Sequence, residues 1–330
     1  MGPETGELWG FLIVAYLFFA GMGAGTLALS ALCTLLGPRY RVVSRLGALI
    51  APWPVAFGTG LLIFDLGRPT RFYHLFTTLE LTSPMSVGSW LLSIFLILAM
   101  VNLFLWLPEK VQRLVPLPVR GSLTSVSGWR PLAAERAEAW RRRLAPVLIP
   151  IALAVGIYTG VLLGATPTRP FWNTALTAEL FLFSALSSGA ALLIAALWIA
   201  GRRGWRPLQH ESMMLLARID IALIVVEFFL IVPFVLHQAL GTESQFESIK
   251  LILGGRYTAP FWILVVLFGL GVPLVLEAAE VFQQHHRLRR FGHWLEGYGA
   301  LAAAILVLMG GVSLRWVFVF AGQVARLLPG

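Results

Sequence analysis

The sequence predicts an all-α integral membrane protein with eight transmembrane helices, and three observations predict it. Of the 330 residues, 58% are hydrophobic and only 12% are charged, about half the charged share of an ordinary soluble domain. Such a chain lacks the polar surface to cover itself in water, which excludes a soluble enzyme. Read between its charge clusters, it divides into eight apolar stretches, each close to the roughly 20 residues that cross a hydrocarbon core of about 30 Å at 1.5 Å per residue. Lys and Arg alternate between the connections: 17 fall on one side and 6 on the other. That bias places the basic loops in the cytoplasm and both termini outside. The net charge of +9 is thereby assigned to membrane-surface loops and gives no reason to invoke nucleic acid.

The first span, 9–36, has no Lys or Arg before it and is longer than a leader's apolar core, so it is expected to be retained. Within it Gly21 and Gly25 lie four apart, which lets a neighbouring helix or a flat ligand approach the backbone. Spans follow at 46–64 and 86–107. The connection 108–145 is the longest, and its segment Leu132–Leu144 is expected to form an interfacial helix. There Glu138 and Arg142 sit one turn apart and Trp140 can lie at headgroup level. The remaining spans are placed at 146–165, 173–200, 213–240, 257–281 and 296–321. The whole chain, 1–330, forms one membrane domain with no segment large enough to fold alone, so any soluble electron carrier is expected to be a separate subunit. The end of span 2 and its loop (Thr59-Gly60, then Arg68-Pro69-Thr70-Arg71-Phe72) echo the end of span 4 and its loop (Thr159-Gly160, then Thr168-Arg169-Pro170-Phe171). The echo fits either a parallel repeat of helix pairs or chance.

A charge in hydrocarbon costs several kcal/mol, so ionisable residues within spans are candidates for function. Asp220 and Glu227 stand two turns apart in span 6 and project from one face. Glu179 lies in span 5, Glu277 and Glu280 near the inner end of span 7, and Arg315 toward the outer part of span 8. They fit either a proton route or interhelical hydrogen bonding, and Arg315 reads as a structural or tuning charge. Intramembrane acids and repeats would also suit a secondary transporter, the alternative reading. The histidines are poorly placed for a haem held between facing spans: only His237 is inside a span, and near its end. The lone Cys33 can form neither a disulfide framework nor a cysteine-ligated cluster. No metal site is expected in this chain. Tyr16 and Tyr158, both in the outer halves of their spans, are buried phenols whose hydroxyls need partners.

Several segments together resemble the polysulfide reductase membrane subunit family, NrfD/PsrC. They are Phe64-Asp65-Leu66-Gly67-Arg68-Pro69-Thr70-Arg71-Phe72, Ser83-Pro84-Met85-Ser86, Gly88-Ser89-Trp90, Tyr158-Thr159-Gly160, Pro170-Phe171-Trp172-Asn173, Leu186-Ser187-Ser188-Gly189, and Gly310-Gly311 through Arg315 to Ala321-Gly322-Gln323. The resemblance implies a pair of four-helix bundles in the cell's inner membrane, free of haem and iron–sulfur clusters, that binds menaquinone or ubiquinone. It also implies an iron–sulfur ferredoxin-like subunit on the outer face, joined to a molybdopterin oxidoreductase or a multihaem cytochrome. Tyr16, Asp65, Tyr158 and Asn173 are then expected around the quinone headgroup. Arg68, Arg71 and Arg169 are expected at or beneath the docked partner, and Asp220, Glu227, Glu277, Glu280 and Glu179 along a proton relay. Some members carry a histidine where Tyr16 stands, which keeps a hydrogen-bond donor there but changes its proton chemistry.

Overall fold

A computed structural model describes residues 9–65, 80, 82–107, 134–201, 209–283 and 292–324. Among them there is no strand. The helices are α1 (Phe11–Leu36), α2 (Arg41–Ile50), α3 (Pro52–Asp65), α4 (Pro84–Trp106), α5 (Ala134–Gly164), α6 (Ala175–Gly201), α7 (Gln209–Ala239), α8 (Glu243–Leu253), α9 and α10 (Gly292–Val324). Helix α9 is π-helical over Pro260–Gly271 and α-helical over Val272–Gln283. Among the described residues eight segments are long and apolar enough to cross a membrane. They are α1, α2 with α3, α4, α5, α6, α7, α9 and α10, in the order the composition predicts.

Local chemistry explains the boundaries. Helix α4 begins at Ser83-Pro84: the serine hydroxyl accepts from the Ser86 N–H, and proline occupies the first turn, where its missing N–H costs nothing. Span 2 starts earlier than its apolar core, at a 3-10 turn over Pro38–Tyr40, and changes helix at Ala51, just before Pro52. The amphipathic stretch expected as an interfacial helix runs without a break into span 4. Helix α5 is 31 residues long, about 46 Å at 1.5 Å per residue, and so overshoots a hydrocarbon core of about 30 Å by several turns. Helix α8 falls in what the sequence reads as a plain connection. It is nucleated by a capping box in which Gln245 N–H donates to Thr242 Oγ1 and Thr242 N–H donates to Gln245 Oε1 at 2.8 Å.

The helices pack as two four-span groups, α1–α5 and α6–α10. Within the first, α1 packs on α3 and α5, and α4 on α5; within the second, α6 packs on α7 and α10, and α9 on α10. The groups meet where α1 and α5 lie against α6, with α10 also touching α1. Small residues permit this contact. A Cβ at Gly25 would overlap the Ala185 carbonyl, and one at Gly189 would overlap the Gly25 backbone, so two helices meet at backbone contact, as bilayer packing favours. It is therefore a neighbouring helix that occupies the close approach at Gly25.

Candidate functional site

The first described helix begins, and the last one ends, on the same side of the bundle. The Trp9 N–H donates to Gln323 Oε1 at 2.9 Å, and Gln323 Nε2 donates back to the Trp9 carbonyl at 2.9 Å. The connection between α5 and α6 folds inward beneath this clasp. Trp172 stacks on Trp9 with ring centroids 5.0 Å apart and donates from Nε1 to the Phe318 carbonyl at 2.7 Å. Phe171 packs edge-on against Phe234 and Phe318. Arg169 is buried and donates to the Gln323 carbonyl, while Gln238 holds the Pro170 and Phe171 carbonyls. These bonds satisfy a buried irregular stretch, which hydrocarbon would otherwise penalise.

One to two turns below that cap, α1 and α5 bring two phenols together. Tyr16 is fully buried and Tyr158 nearly so; their hydroxyl groups face one another. Among the described residues, no acceptor or donor completes the Tyr16 hydroxyl with good geometry. The Tyr158 ring lies on Gly88 of α4, where an added Cβ would overlap its hydroxyl and Cζ. Gly88 thus supplies the space in which the phenol sits, a role that the sequence alone did not disclose.

The second polar region runs through the α6–α10 group. Asp220, Glu227 and Glu277 are buried, at 0%, 3% and 1% exposure. Asp220 neighbours both Ser187 and Glu277, Glu277 also faces Glu280, and Glu227 lies within electrostatic reach of Asp220 and Arg315. Among the described residues, both oxygens of Asp220 and of Glu277, one each of Glu227 and Glu280, and the Ser187 hydroxyl make no hydrogen bond of good geometry, although Asp220, Ser187 and Glu277 lie side by side. Buried polar atoms are ordinarily partnered by protein or water, so this cluster calls for shared protons or water to complete it. A cavity of about 10 Å³ lies alongside, lined by Glu227, Ser184, Ser187 and Gly310 among others. That is room for about one water, with several polar groups to hold it.

Arg315 closes the upper end of this thread at the junction of the two groups. It is fully buried, donates to the Leu17 carbonyl at 3.3 Å, to Ser184 Oγ at 3.0 Å and to the Gly311 carbonyl at 2.8 Å, and has no partner for Nη2 among the described residues. Its guanidinium also lies over the rings of Phe181 and Phe18 at 5.2 and 5.7 Å. Bonded at once to α1, α6 and its own helix α10, it stands between the phenols and the acids.

The structure thus brings together Tyr16 with Tyr158, and Asp220 with Glu227, Glu277, Glu280 and Arg315. Glu179 stands apart, exposed on the second turn of α6, and Asn173 is exposed beside the buried Trp172. Arg68 and Arg71 lie outside the described residues, as does the Asp65 side chain at the end of α3. Sequence reasoning assigned no role to Ser184, Gln238 or Gln323. Their signal was available only as isolated polar residues in apolar spans.

A bundle of this kind, with eight membrane-spanning segments among the described residues, paired phenols near one end and buried acids through half of its interior, is a multi-pass integral membrane protein with a polar core. Comparison with known proteins narrows the class. The family model described as "Polysulphide reductase, NrfD" matches residues 3–326. The chain is 30% identical over 332 residues to "Protein NrfD" of Escherichia coli K12, covering 96% of this chain and 95% of that one. It is 30% identical over 326 residues to the C chain of the polysulfide reductase of Wolinella succinogenes, covering 96% and 94%. It is also 26% identical to "Hdr-like menaquinol oxidoreductase integral membrane subunit" of Archaeoglobus fulgidus, covering 98% of this chain and 73% of that one. The chain belongs to the NrfD family.

Proposed function

We propose that this chain is the quinone-interacting subunit of a respiratory oxidoreductase complex in the cell's inner membrane. It exchanges electrons between the quinone pool and an iron–sulfur subunit on the outer face. The observation that carries the reading is the Tyr16–Tyr158 pair: two buried phenols from different helices, hydroxyl facing hydroxyl without a bond of good geometry among the described residues, in space left by Gly88. Names of relatives support it, one being a menaquinol oxidoreductase subunit and another a polysulfide reductase subunit.

A menaquinone or ubiquinone headgroup needs hydrogen-bond partners at its two oxygens and an apolar wall, and the residues present fit that need. The unpartnered Tyr16 hydroxyl and the neighbouring Tyr158 hydroxyl would bind and orient the oxygens, with Asp65 and Asn173 completing the surround. A quinone, when bound, supplies two-electron chemistry coupled to two protons. The chain's own residues then hold and move those protons. Glu280 and Glu277 take them at the basic end, Asp220 and Glu227 pass them along one face of α7, and a water in the cavity joins Glu227 to Ser184 and Ser187. Glu179, exposed on α6, serves the opposite end. Arg315 is a poor carrier because a guanidinium does not release its proton; it sets the field between acids and phenols. Arg68 and Arg71 meet the iron–sulfur partner, Arg169 braces the surface beneath it, and a molybdopterin oxidoreductase or multihaem cytochrome completes the complex.

The test is Tyr158→Phe in the whole complex. Loss of one hydroxyl at constant ring volume should weaken quinol binding by about 0.5–1.5 kcal/mol and lower turnover while the subunits still copurify. Lipid extracts of the wild-type complex should contain stoichiometric quinone. Full turnover in the variant together with quinone-free wild-type extracts would reject the assignment.

A further inference from the structure

The opposite end of the bundle carries a second constellation that the quinone reading does not use. It lies where α2, α4 and α5 meet, at the last turn of α4 and the first turns of α5. Arg141 is buried and donates from Nε and Nη2 to the Leu105 carbonyl at 3.0 and 2.6 Å, which anchors α5 to the end of α4. Its guanidinium lies 4.2 Å from the centre of the Trp106 ring, and that of Arg41 lies 5.8 Å from the same ring. Three arginines converge on a single carboxylate: Arg141 at 3.1 Å, Arg142 at 3.4 Å and Arg41 at 3.8 Å, all from Glu138. Arg45 is close enough to repel Arg141. Among the described residues positive charge therefore exceeds negative here, and the side chains of Arg41 and Arg142 are more than half exposed.

Two further features show what this excess charge suits. Trp106 is only 6% exposed, yet among the described residues its indole Nε1–H has no acceptor. A buried N–H without an acceptor is rare in folded proteins and calls for a partner. On the opposite, outward face of α4, Val101, Met100 and Ile97 are exposed at 46%, 45% and 63%. At 1.5 Å per residue they lie about 8–14 Å along the helix from the level of Trp106, so the corner sits at the end of a helix whose outer face is apolar and open to lipid. The site thus offers cationic forks and an indole N–H at headgroup level, beside a lipid-facing helix.

We propose that this corner binds one anionic phospholipid, with Arg41, Arg142 and the Trp106 N–H around its headgroup phosphate and its acyl chains entering the hydrocarbon beside α4. Basic pockets between transmembrane helices recognise such headgroups by charge and forked geometry. The bound lipid would clamp the start of α5 onto the end of α4 and α2 and offset the repulsion among the arginines. It depends on neither the quinone assignment nor the direction in which the protein is inserted.

The experiment uses the full chain, purified and delipidated in a neutral detergent, with native mass spectrometry to count bound lipid and thermal unfolding to read protection. Phosphatidylglycerol or cardiolipin should bind one per chain and raise the unfolding temperature; phosphatidylcholine and inorganic phosphate should do neither. Arg41→Gln with Arg142→Gln should weaken anionic-lipid binding about thirtyfold, the product of two arginine contributions. Arg256→Gln, exposed at the other end of the bundle, should leave it unchanged. Trp106→Phe keeps an aromatic ring, smaller than the indole, while removing the N–H, and reports on the site even if the double variant proves unstable; it too should bind the anionic lipid more weakly. Equal protection by phosphatidylcholine or by inorganic phosphate, or undiminished anionic-lipid binding in the variants, would overturn the proposal.

Discussion

Replacing Glu227 by Gln keeps the shape and hydrogen-bonding atoms of the side chain and removes only its ability to release a proton. If Glu227 carries protons between Asp220 and the cavity beside Ser184 and Ser187, this variant in proteoliposomes holding the whole complex should lose turnover by about a hundredfold, near the lower end of what a positioned proton-transfer group contributes. Charge movement should fall with it, while the subunits still assemble. Full turnover with unaltered membrane potential would reduce Glu227 to a packing residue. At this scale the acids and Arg315 were legible because a charge in hydrocarbon is too costly to occur without a reason. The serines were not. A hydroxyl is satisfied cheaply by the carbonyl one turn back, as Thr26 does with the Met22 carbonyl at 2.7 Å, so its presence in a span says nothing about a cavity. Glu179 shows the reverse limit. Its position in an apolar window reads as intramembrane, but rotation about the helix axis puts it on the exposed face.

Between helices, the closest approach around the cavity is that of α9 and α10 at Gly269 and Gly310, where a Cβ on either would overlap the other's backbone. Gly310→Ala should therefore push α10 from α9 and destabilise the protein by about 1–3 kcal/mol, the usual cost of overpacking, read as a lowered unfolding temperature in detergent. Gly60→Ala on α3, with open space around the added methyl, is the control and should change stability by no more than about 0.5 kcal/mol. If Gly310→Ala proves as stable as that control, the contact is not tight. Most elements announced themselves through their length of apolar sequence. Helix α8 did not, because eleven residues of mixed polarity carry no membrane signal and only the Thr242–Gln245 capping box hints at it. The π-helical half of α9 had no local signature either. It packs chiefly against α10, and it precedes the turn that carries Glu277.

For the whole molecule, the distribution of Lys and Arg predicts its insertion. A reporter fused at Gly330 should lie outside the cytoplasm, and one inserted between Pro118 and Trp129 inside it. Trp9 and Gln323 are hydrogen-bonded at one end of the bundle, and an odd number of spans separates 118–129 from each of them. Both signals on one side of the membrane would therefore break the eight-span topology. With the predicted orientation the phenol pair lies near the outer face and Glu280 near the cytoplasm, so a relay through Asp220 and Glu227 would carry charge across most of the membrane.

Composition and periodicity by themselves determined the all-helical class, the number of crossings, their order and the ionisable residues worth following. Lipid imposes these constraints on every segment separately: each span must be apolar, about 20 residues long and internally hydrogen-bonded. Only the tertiary structure decided which residues meet. It set Tyr16 against Tyr158 over Gly88, joined Glu280, Glu277, Asp220 and Glu227 into one thread, turned Arg169 inward onto Gln323, and gathered Arg41, Arg141 and Arg142 around Glu138. The physical reason is that nearly every face of these helices is apolar, so the sequence carries little record of which face turns toward a neighbour and which toward lipid. That choice is made by close packing at glycines such as Gly25, Gly189, Gly269 and Gly310, and it exists only once the helices are assembled.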